Sequence, residues 1–332
     1  MPIPKVTVAV PTLAADDALA ECLRSLESQS LADFEVVVID NSAANLASLQ
    51  CERVRVISNN RNIGFGAAIN QAFHASQAPY LAVLNDDAVA DPHWLESLVA
   101  CASANPRAGM FASQVRMGPR LDSAGMLIAA DGSSKQRGHG EPPESFGAAA
   151  EALFPSGSAA MYGREMLEQI GLFDESFFLY CEDTDLGLRA RWAGWECRYV
   201  PDAVVEHRYS HSAGAASPLK AYYVERNRLY AIVKNFPSRL LWRALFASAS
   251  RYCWHLISLA EGRGKAAEFR REGRSPAWLP LLVLRAHAAA LVRLPRLFRE
   301  RRRIAASRRI APEEFQRLLG RHRISLRQVA AL

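Results

Sequence analysis

Short apolar runs that alternate with amphipathic helical segments constrain the fold of this chain more than any other feature. Four runs are typical of buried strands: "VTVAV" at 6–10, "FEVVVID" at 34–40, "VRVIS" at 54–58 and "YLAVLNDD" at 80–87. Segments with apolar residues at helical spacing follow three of them: "DDALAECLRSLESQS" with Asp16 as N-cap, "GFGAAINQAFHAS", and "DPHWLESLVACASAN" with Asp91 as N-cap and Pro92 at its first position. This alternation predicts an α/β fold, in which helices cover both faces of a parallel sheet.

Polar residues stand where these predicted strands end. Thr12 follows the first strand, Asp40 ends the second, and Asn85-Asp86-Asp87 ends the fourth. Ligands of such sheets bind beyond the carboxyl ends of the strands, so these residues mark a candidate site.

The adjacent acids Asp86 and Asp87 favour a metal site. Carboxylates after a buried strand are costly without a positive partner, and Mg²⁺ or Mn²⁺ binds carboxylate and diphosphate oxygens together. The alternative is the N-cap region of a helix that begins at Pro92, but Asp91 already fills that role. Asp40 fits either a contact with a ribose or base, or an Asx-turn with Asn41 and Ser42.

A second acidic group lies in "FFLYCEDTDLGLRARWAGW", residues 177–195, where aromatic residues lead directly into Glu182, Asp183 and Asp185. Three carboxylates within four positions repel one another and resist burial. The residues alone also fit a capped helix with solvated acids, because a helix N-terminus stabilises negative charge.

The pattern weakens between about residues 110 and 160. "DGSSKQRGHGEPPESFG" predicts a flexible lid or an insertion. "PSGSAAMYGREMLEQIG" then predicts a strand and a short helix, and "GWECRYVPDAVVEHRYSHS" predicts one or two strands that lead to His207 and His211. "NNRNIGFGAAIN" lacks the third glycine of a dinucleotide fingerprint and does not follow the first strand.

Charge is distributed unevenly along the chain. Residues 239–332 carry a net +15, whereas residues 1–238 carry −9. Arg285, His287 and Arg293 interrupt the most apolar part of this basic tail, residues 276–297, so it does not fit a transmembrane span. It fits either a helix on the surface of an anionic membrane, with Trp278 and the leucines inward, or an amphipathic helix packed on the rest of the protein. Six scattered cysteines without zinc-site spacing, and a start typical of a strand and not of a signal peptide, predict a cytoplasmic protein.

Seven motifs in order resemble the family 2 glycosyltransferases, which are inverting enzymes with a GT-A fold, and most resemble bacterial rhamnosyltransferases of that family. They are "VTVAVPTL", "VVVIDNSA", "NRNIGFGAAIN", "YLAVLNDDAVADPHWL", "FFLYCEDTDLGLRARWAGW", "VVEHRYSHS" and "YYVERNRL". The resemblance covers about residues 5–235. It implies a Rossmann-like, mostly parallel sheet flanked by helices over residues 1–235, with residues 236–332 as a basic amphipathic helical tail.

The resemblance also implies roles for single residues. Asp183 would be the general base, Glu182 would hold an acceptor hydroxyl or position Asp183, and Asp185 would cap the helix or pair with Arg189. Asp87 and His207 would bind Mg²⁺ or Mn²⁺, while His211 stays undecided. The nucleotide-sugar would contact Pro11, Thr12, Asp40, Arg61, Asn62, Gly64, Asn85, Asp86, Gly157 and Ser158. The aromatic residues Phe177, Phe178 and Tyr180 would wall the acceptor side.

The expected function is therefore metal-dependent sugar transfer from a nucleotide-sugar, with dTDP-rhamnose favoured and UDP- or GDP-linked hexoses left open. The acceptor would be a glycan or a lipid-linked glycan in cell-surface polysaccharide synthesis, and the basic tail would hold the enzyme at the inner face of the cell membrane. Exposed tail leucines are also compatible with a homodimer. There are two alternatives. A nucleic-acid-binding protein is disfavoured by the acidic N-terminal part. A nucleotidyltransferase usually has a Gly-rich loop with basic residues after the first strand, and "PTLAADDALA" has neither.

Overall fold

The protein is described by a computed structural model that covers residues 3–44, 46–208, 217–271 and 278–331. The strands are β1 Val6–Thr12, β2 Phe34–Asp40, β3 Val54–Ser58, β4 Tyr80–Leu84, β5 Ala88–Ala90, β6 Ala108–Met117, β7 Arg120–Ser123, β8 Met126–Ile128, β9 Ser134–Gln136, β10 Ala150–Glu151, β11 Ala159–Gly163 and β12 Glu196–His207. The helices are α1 Asp17–Glu27, α2 Phe65–Ala75, α3 Trp94–Ala104, α4 Arg164–Ile170, α5 Glu182–Trp192, α6 Pro218–Asn235, α7 Ser238–Ala260, α8 Gly264–Arg271, α9 Leu279–Ser307, α10 Pro312–Arg321 and α11 Leu326–Ala331.

Ten strands form one sheet in the order β10-β12-β6-β11-β4-β1-β2-β3, with β5 on β12 and β7 on β6. The strands β4, β1, β2 and β3 are parallel, as the alternation predicts, and β6 is parallel to β12. Strand β11 is antiparallel to both β4 and β6 and joins the two parallel parts. This arrangement brings the carboxyl ends of β1, β2 and β4 to one edge of the sheet.

Helices cover both faces of the sheet, as predicted. Along β1, Val8 and Val10 belong to a core cluster with α1 and α3, whereas Ala9 belongs to a second cluster with α2 and α5. Successive side chains of a strand point to opposite faces, so a strand buried on both sides must be apolar throughout. The "VTVAV" and "FEVVVID" runs meet that requirement.

The region of weak sequence pattern contains much of the second half of the sheet. Strand β6 is ten residues long and largely buried. The predicted lid contains β9 and a 3₁₀ turn at Pro143–Phe146, and Arg137 lies over the rings of Phe146 and Tyr199. Glycines and polar residues between these short elements obscured the periodicity that would have revealed them.

Two predicted element ends are wrong by a few residues. The fourth strand ends at Leu84, and Asn85, Asp86 and Asp87 lie in the turn before β5. Helix α3 begins at Trp94, so Asp91 is not its N-cap. Asp91 instead accepts a hydrogen bond from the backbone N–H of His93 at 2.9 Å, in an Asx-turn that precedes the helix.

The C-terminal helices share the core of the sheet domain. The ring of Phe315 in α10 stacks on Trp192 in α5 at 3.9 Å, and Leu297 in α9 is buried beside Phe177 and Tyr230. A division of the chain at residue 235 into two folding units stays a prediction. Within the described ranges, every helix is too short or too polar to cross a bilayer.

Candidate active site

The segment before α5 has an unusual backbone. Three residues without the freedom of glycine have positive φ, namely Phe178 at 65°, Tyr180 at 68° and Cys181 at 64°. Such conformations are strained and persist where surrounding contacts hold them. The amide of Asn227 in α6 donates hydrogen bonds at 2.7–2.9 Å to three carbonyl oxygens of this segment, those of Phe177, Leu179 and Tyr180. Helix α6 therefore fixes the direction in which α5 begins.

Asp185 is a structural member of the acidic motif. It is fully buried and accepts hydrogen bonds from Arg189 Nε at 2.9 Å, Lys234 Nζ at 2.9 Å and Asn235 Nδ2 at 2.8 Å. The predicted pair with Arg189 is therefore confirmed. Burial opposes ionisation of Asp185, but the charges of Lys234 and Arg189 lower its pKa. Its carboxylate ties α5 to α6.

Glu182 has a different environment. Its side chain is buried, and its Oε2 atom has no hydrogen-bond partner among the described residues. Burial, followed by the charge of neighbouring Asp183, raises the pKa of Glu182 to about 8. Glu182 is therefore mostly protonated at neutral pH, and the pair carries about one negative charge.

Asp183 is the member of the motif that is partly open to solvent. Its Oδ2 atom accepts a hydrogen bond from the backbone N–H of Gly157 at 3.1 Å, and Oδ1 accepts one from the N–H of Thr184 at 2.6 Å. Burial raises the pKa of Asp183 above its ordinary value, and the two amides limit the rise. A fixed carboxylate of raised basicity can accept a proton from a hydroxyl group.

The Gly157-Ser158 segment connects Asp183 to Asn85, the residue before the two acids that follow β4. The carbonyl of Ser158 accepts a hydrogen bond from the N–H of Asn85 at 2.9 Å, while Gly157 holds Asp183. A Cβ atom on Gly157 would lie 3.6 Å from Asp183 Oδ2. The structure therefore brings the predicted site residues of three separate motifs, at 85–87, 157–158 and 182–183, into one contiguous group.

Asp87 and His207 meet at the other side of this group. His207 Nε2 lies 3.1 Å from Asp87 Oδ1 and 3.3 Å from Asn85 Nδ2. His207 Nδ1 lies 3.5 Å from Oδ2 of Asp122, a buried residue of β7. Burial alone would lower the pKa of His207, but Asp122 and Asp87 raise it to about 9. The imidazole of His207 thus lies between the carboxylates of Asp87 and Asp122.

The donor atoms of this group suit a divalent cation. Asp87 offers a carboxylate oxygen and His207 an imidazole nitrogen, while Asp122 behind the imidazole resembles the carboxylate that commonly orients a metal-bound histidine. Across the described ranges, no cluster of three or more His, Cys, Asp or Glu side chains forms a metal site. Asp87 and His207 alone would leave most positions around a Mg²⁺ or Mn²⁺ ion to ligands from outside the chain.

A neighbouring cavity of about 570 Å³ is lined by Arg61, Asn62, Ile63, Ala67, Gln71, Glu175 and Phe178. Gly64 has φ of +91°, and a Cβ atom there would lie 2.5 Å from the carbonyl oxygen of Phe178. Glycine is required because the loop of residues 61–64 and the strained segment before α5 touch at this point. Asn62 accepts a hydrogen bond from the N–H of Gly64 at 2.8 Å.

The ends of β1 and β2 lie at the same edge of the sheet. Asp40 is buried, and its carboxylate accepts hydrogen bonds from the N–H groups of Ser42 at 2.9 Å and Leu46 at 3.0 Å. Burial opposes ionisation of Asp40, but a hydrogen bond from the Ser42 hydroxyl, followed by those from the two amides, lowers its pKa. The contacts of Asp40 in the structure are therefore those of an Asx-turn. Contact of Asp40, Pro11 and Thr12 with a donor stays a prediction.

Sequence reasoning missed two residues of the site. Asp122 lies in the region of weak pattern and carried no signal. Asn227 lies in the quoted motif "YYVERNRL", but its contacts with residues 177–180 depend on tertiary structure. Phe177 does not wall the site, because its side chain is buried against α6 and α9. His211 lies outside the described residues.

Comparison with known proteins gives a consistent assignment. The sequence model of a family described as "Glycosyltransferase like family 2" matches residues 4–231. An N-acetylglucosaminyl-diphospho-decaprenol L-rhamnosyltransferase of Mycobacterium tuberculosis H37Rv is 32% identical over 234 residues, which are 60% of this chain and 76% of the relative.

Two solved structures share the fold. A mannosyltransferase from Pyrobaculum calidifontis in complex with GDP-Man and Mn²⁺ superposes with a TM-score of 0.53 at 18% identity, over 92% of this chain and 86% of that one. GalNAc-T7 with UDP, GalNAc and Mn²⁺ gives a TM-score of 0.54 at 14% identity, over 70% of this chain and 51% of that one. Together with the family match over residues 4–231 and the sheet that carries the acidic groups, these likenesses show that the chain is a glycosyltransferase of family 2 with the GT-A fold.

Proposed function

We propose that the chain is an inverting, metal-dependent sugar transferase in which Asp183 is the general base. The observation that supports this most is the position of Asp183. It is partly exposed, fixed by the amides of Gly157 and Thr184, and linked through Ser158 to Asn85, which precedes the two acids after β4. A base held at this point can face an acceptor hydroxyl while the donor diphosphate lies towards Asp87 and His207.

In the proposed reaction, Asp183 accepts the proton of the acceptor hydroxyl as its oxygen attacks the anomeric carbon of the donor sugar. The bond from that carbon to the diphosphate oxygen breaks, and its electron pair leaves with the nucleoside diphosphate. Attack opposite to the leaving group inverts the anomeric configuration without a covalent intermediate. A divalent cation, Mg²⁺ or Mn²⁺, held by Asp87 and His207 would supply positive charge to the departing diphosphate.

In this scheme Glu182 has a supporting role and does not accept the proton of the acceptor hydroxyl. Because its pKa is raised to about 8, it is protonated at neutral pH and can donate a hydrogen bond to an acceptor oxygen. Its proton also leaves the negative charge of the pair on Asp183. The residues that we propose to contact the nucleotide-sugar lie at the ends of β1, β2 and β4 and in the cavity at Arg61 and Asn62.

The donor and acceptor are proposed from the relatives. The 32% identical relative is, by its name, an L-rhamnosyltransferase for an N-acetylglucosaminyl-diphospho-decaprenol acceptor. We propose dTDP-rhamnose as the donor and a glycan or lipid-linked glycan of cell-surface polysaccharide as the acceptor, with no nucleic acid as partner. A lipid-linked acceptor agrees with a cytoplasmic enzyme whose basic tail associates with the inner face of the cell membrane.

The test is a donor panel. Purified protein is incubated with dTDP-rhamnose and with UDP- and GDP-hexoses, with Mg²⁺ or Mn²⁺ or with EDTA, and release of nucleoside diphosphate is measured with and without a lipid-linked acceptor. We expect release from one donor, abolished by EDTA and in Asp87→Ala. We expect Asp183→Asn to lower the rate by roughly 10²–10⁴-fold, the usual contribution of a general base.

The matched control is Glu165→Gln, which neutralises an exposed carboxylate on α4 and should leave the rate unchanged. Calorimetry supplies an independent readout, since Asp183→Asn should still bind the donor with metal whereas Asp87→Ala should bind it more weakly. Undiminished transfer in Asp183→Asn would exclude Asp183 as the base. No binding of any nucleotide-sugar or diphosphate with metal present would contradict the whole proposal.

A further inference from the structure

Helix α7 is oriented with its apolar face towards solvent. Its buried residues are small or polar: Ala244, Ser248, Arg251 and Ser258. The large apolar residues Trp242, Leu245, Phe246, Leu256 and Ile257 are exposed, and Phe246 is 76% exposed. At about 100° of rotation per residue these five form one stripe on the side opposite to the buried face. Ala249 and Cys253, also exposed, complete that stripe.

Helix α9 has the same arrangement over its first five turns. It packs on the protein through Ala286, Ala290, Leu297 and Ile304. The opposite side exposes Leu281, Leu284, Leu291 and Val292, and Val292 is 81% exposed. Soluble proteins rarely leave so many large apolar side chains together in water, and such patches mark interaction sites.

The two exposed stripes are neighbours. Arg301 of α9 donates a hydrogen bond to Ser238 at the start of α7 at 2.9 Å, and the rings of Tyr252 and His287 lie 6.4 Å apart. The two contacts are fourteen residues apart in each helix, which is about 21 Å of helix, and the residue numbers run in opposite directions in α7 and α9. The helices therefore run side by side and antiparallel, and we name their two outward faces the α7–α9 surface.

Positive charge accompanies this surface. Helix α7 contains no acidic residue, and the one acid of α9, Glu300, lies 2.7 Å from Arg296 and 3.3 Å from Lys234. Exposed arginines stand at the end where α7 begins and the apolar stripe of α9 ends: Arg239, Arg243, Arg299 and Arg302. Trp242 lies at that end of the surface and Trp278 precedes α9 at the other.

We propose that the α7–α9 surface docks on an anionic lipid bilayer, with its apolar side chains inserted among the acyl chains and its arginines at the level of the headgroups. Apolar residues flanked by arginines and tryptophans are typical of helices that lie in a membrane interface. A second copy of the chain fits less well, because it would bring two strongly basic segments together, each part of a region with net charge +15. The proposal extends the membrane association given above and does not depend on the transfer reaction.

The experiment is vesicle flotation of the full chain with phosphatidylcholine vesicles and with vesicles that also contain phosphatidylglycerol. We expect the protein to float with the anionic vesicles and its tryptophan fluorescence to be quenched by brominated acyl chains. Phe246→Glu and Leu291→Glu should each reduce partitioning by roughly tenfold or more, because a carboxylate is then placed in the interface. Both positions are exposed, so the melting temperature should not change.

Gln50→Glu is the matched control, since it adds the same charge at an exposed position outside the surface and should float like the wild type. Asp183→Asn should also float normally, which separates failure of docking from failure of the proposed reaction. The proposal is overturned if the wild type stays unbound or if Phe246→Glu binds as well as the wild type. It is equally overturned if light scattering finds a dimer that Phe246→Glu dissociates while vesicles bind neither.

Discussion

Replacing Asp185 by asparagine tests the division of labour within the acidic motif. The substitution keeps the shape of the side chain but removes a charge that is fully buried against Lys234 and Arg189. Both cations keep other partners: Lys234 contacts Asp174 at 2.7 Å, and Arg189 donates to the carbonyls of residues 170–172. The variant should therefore be less stable than the wild type without being unfolded.

The magnitude follows from the loss of one member of a buried ion-pair network. Removing one partner of a buried pair costs about 3–5 kcal/mol. Because Lys234 and Arg189 retain partners, we expect a loss near the lower end, about 3 kcal/mol. For a protein of this size that corresponds to a fall in melting temperature of roughly 5–10 °C.

The pH dependence gives an independent check. Burial opposes ionisation of Asp185, but Lys234 and Arg189 lower its pKa below the ordinary value of 3.8. The stabilisation is therefore present above pH 3.8 and is lost as the pH falls towards the lowered pKa in the folded state. The difference in the free energy of unfolding between wild type and Asp185→Asn should be constant from neutral pH down to about pH 3.8 and should shrink at lower pH.

Thermal unfolding followed by circular dichroism measures both quantities, and Asp202→Asn, at an exposed position, is the control. An unchanged melting temperature in Asp185→Asn would refute the energetic argument. Loss of transfer activity at an unchanged melting temperature would instead place Asp185 in the catalytic machinery.

Three further predictions concern the same region. In the wild type, the free energy of unfolding should fall by on the order of a few kcal/mol between pH 4.5 and about 8, because the folded protein holds a proton on Glu182 that the unfolded chain releases. Glu182→Gln should remove this fall. Melting temperatures of both proteins across this pH range measure the difference, and an equal pH dependence of the two would contradict the prediction. Asn227→Ala should lower kcat about tenfold with little change in the donor KM, since the segment before α5 loses three hydrogen bonds; a rise in KM alone would argue against positioning. Gly187→Ala should cost about 1–3 kcal/mol, because its Cβ would lie 2.2 Å from Phe154, while Gly320→Ala, with open space, should not destabilise the protein.

Much of the site was predictable because chemistry and local structure coincide at strand ends. Asn85, Asp86 and Asp87 had to lie at the carboxyl edge once the run before them was recognised as a parallel strand. The order of seven motifs then identified the family. Strand β6 and Asp122 were not predictable in this way, because "AGMFASQVRM" and "RLDS" mix small, polar and apolar residues without a regular alternation.

The sequence by itself determined the alternation of buried strands and helices, the acids at their ends, and the basic character of the tail. Tertiary structure alone decided what the three acids of one motif do. Neighbours distant in sequence make Asp185 an ion-pair anchor, leave Glu182 buried with a raised pKa, and hold Asp183 partly open to solvent, where we propose that it acts as the base. The same holds for α7 and α9, whose amphipathic sequences specify an apolar face but not whether it faces the core or solvent. Packing on α6 used the small and polar side of α7, so its apolar side remained outside.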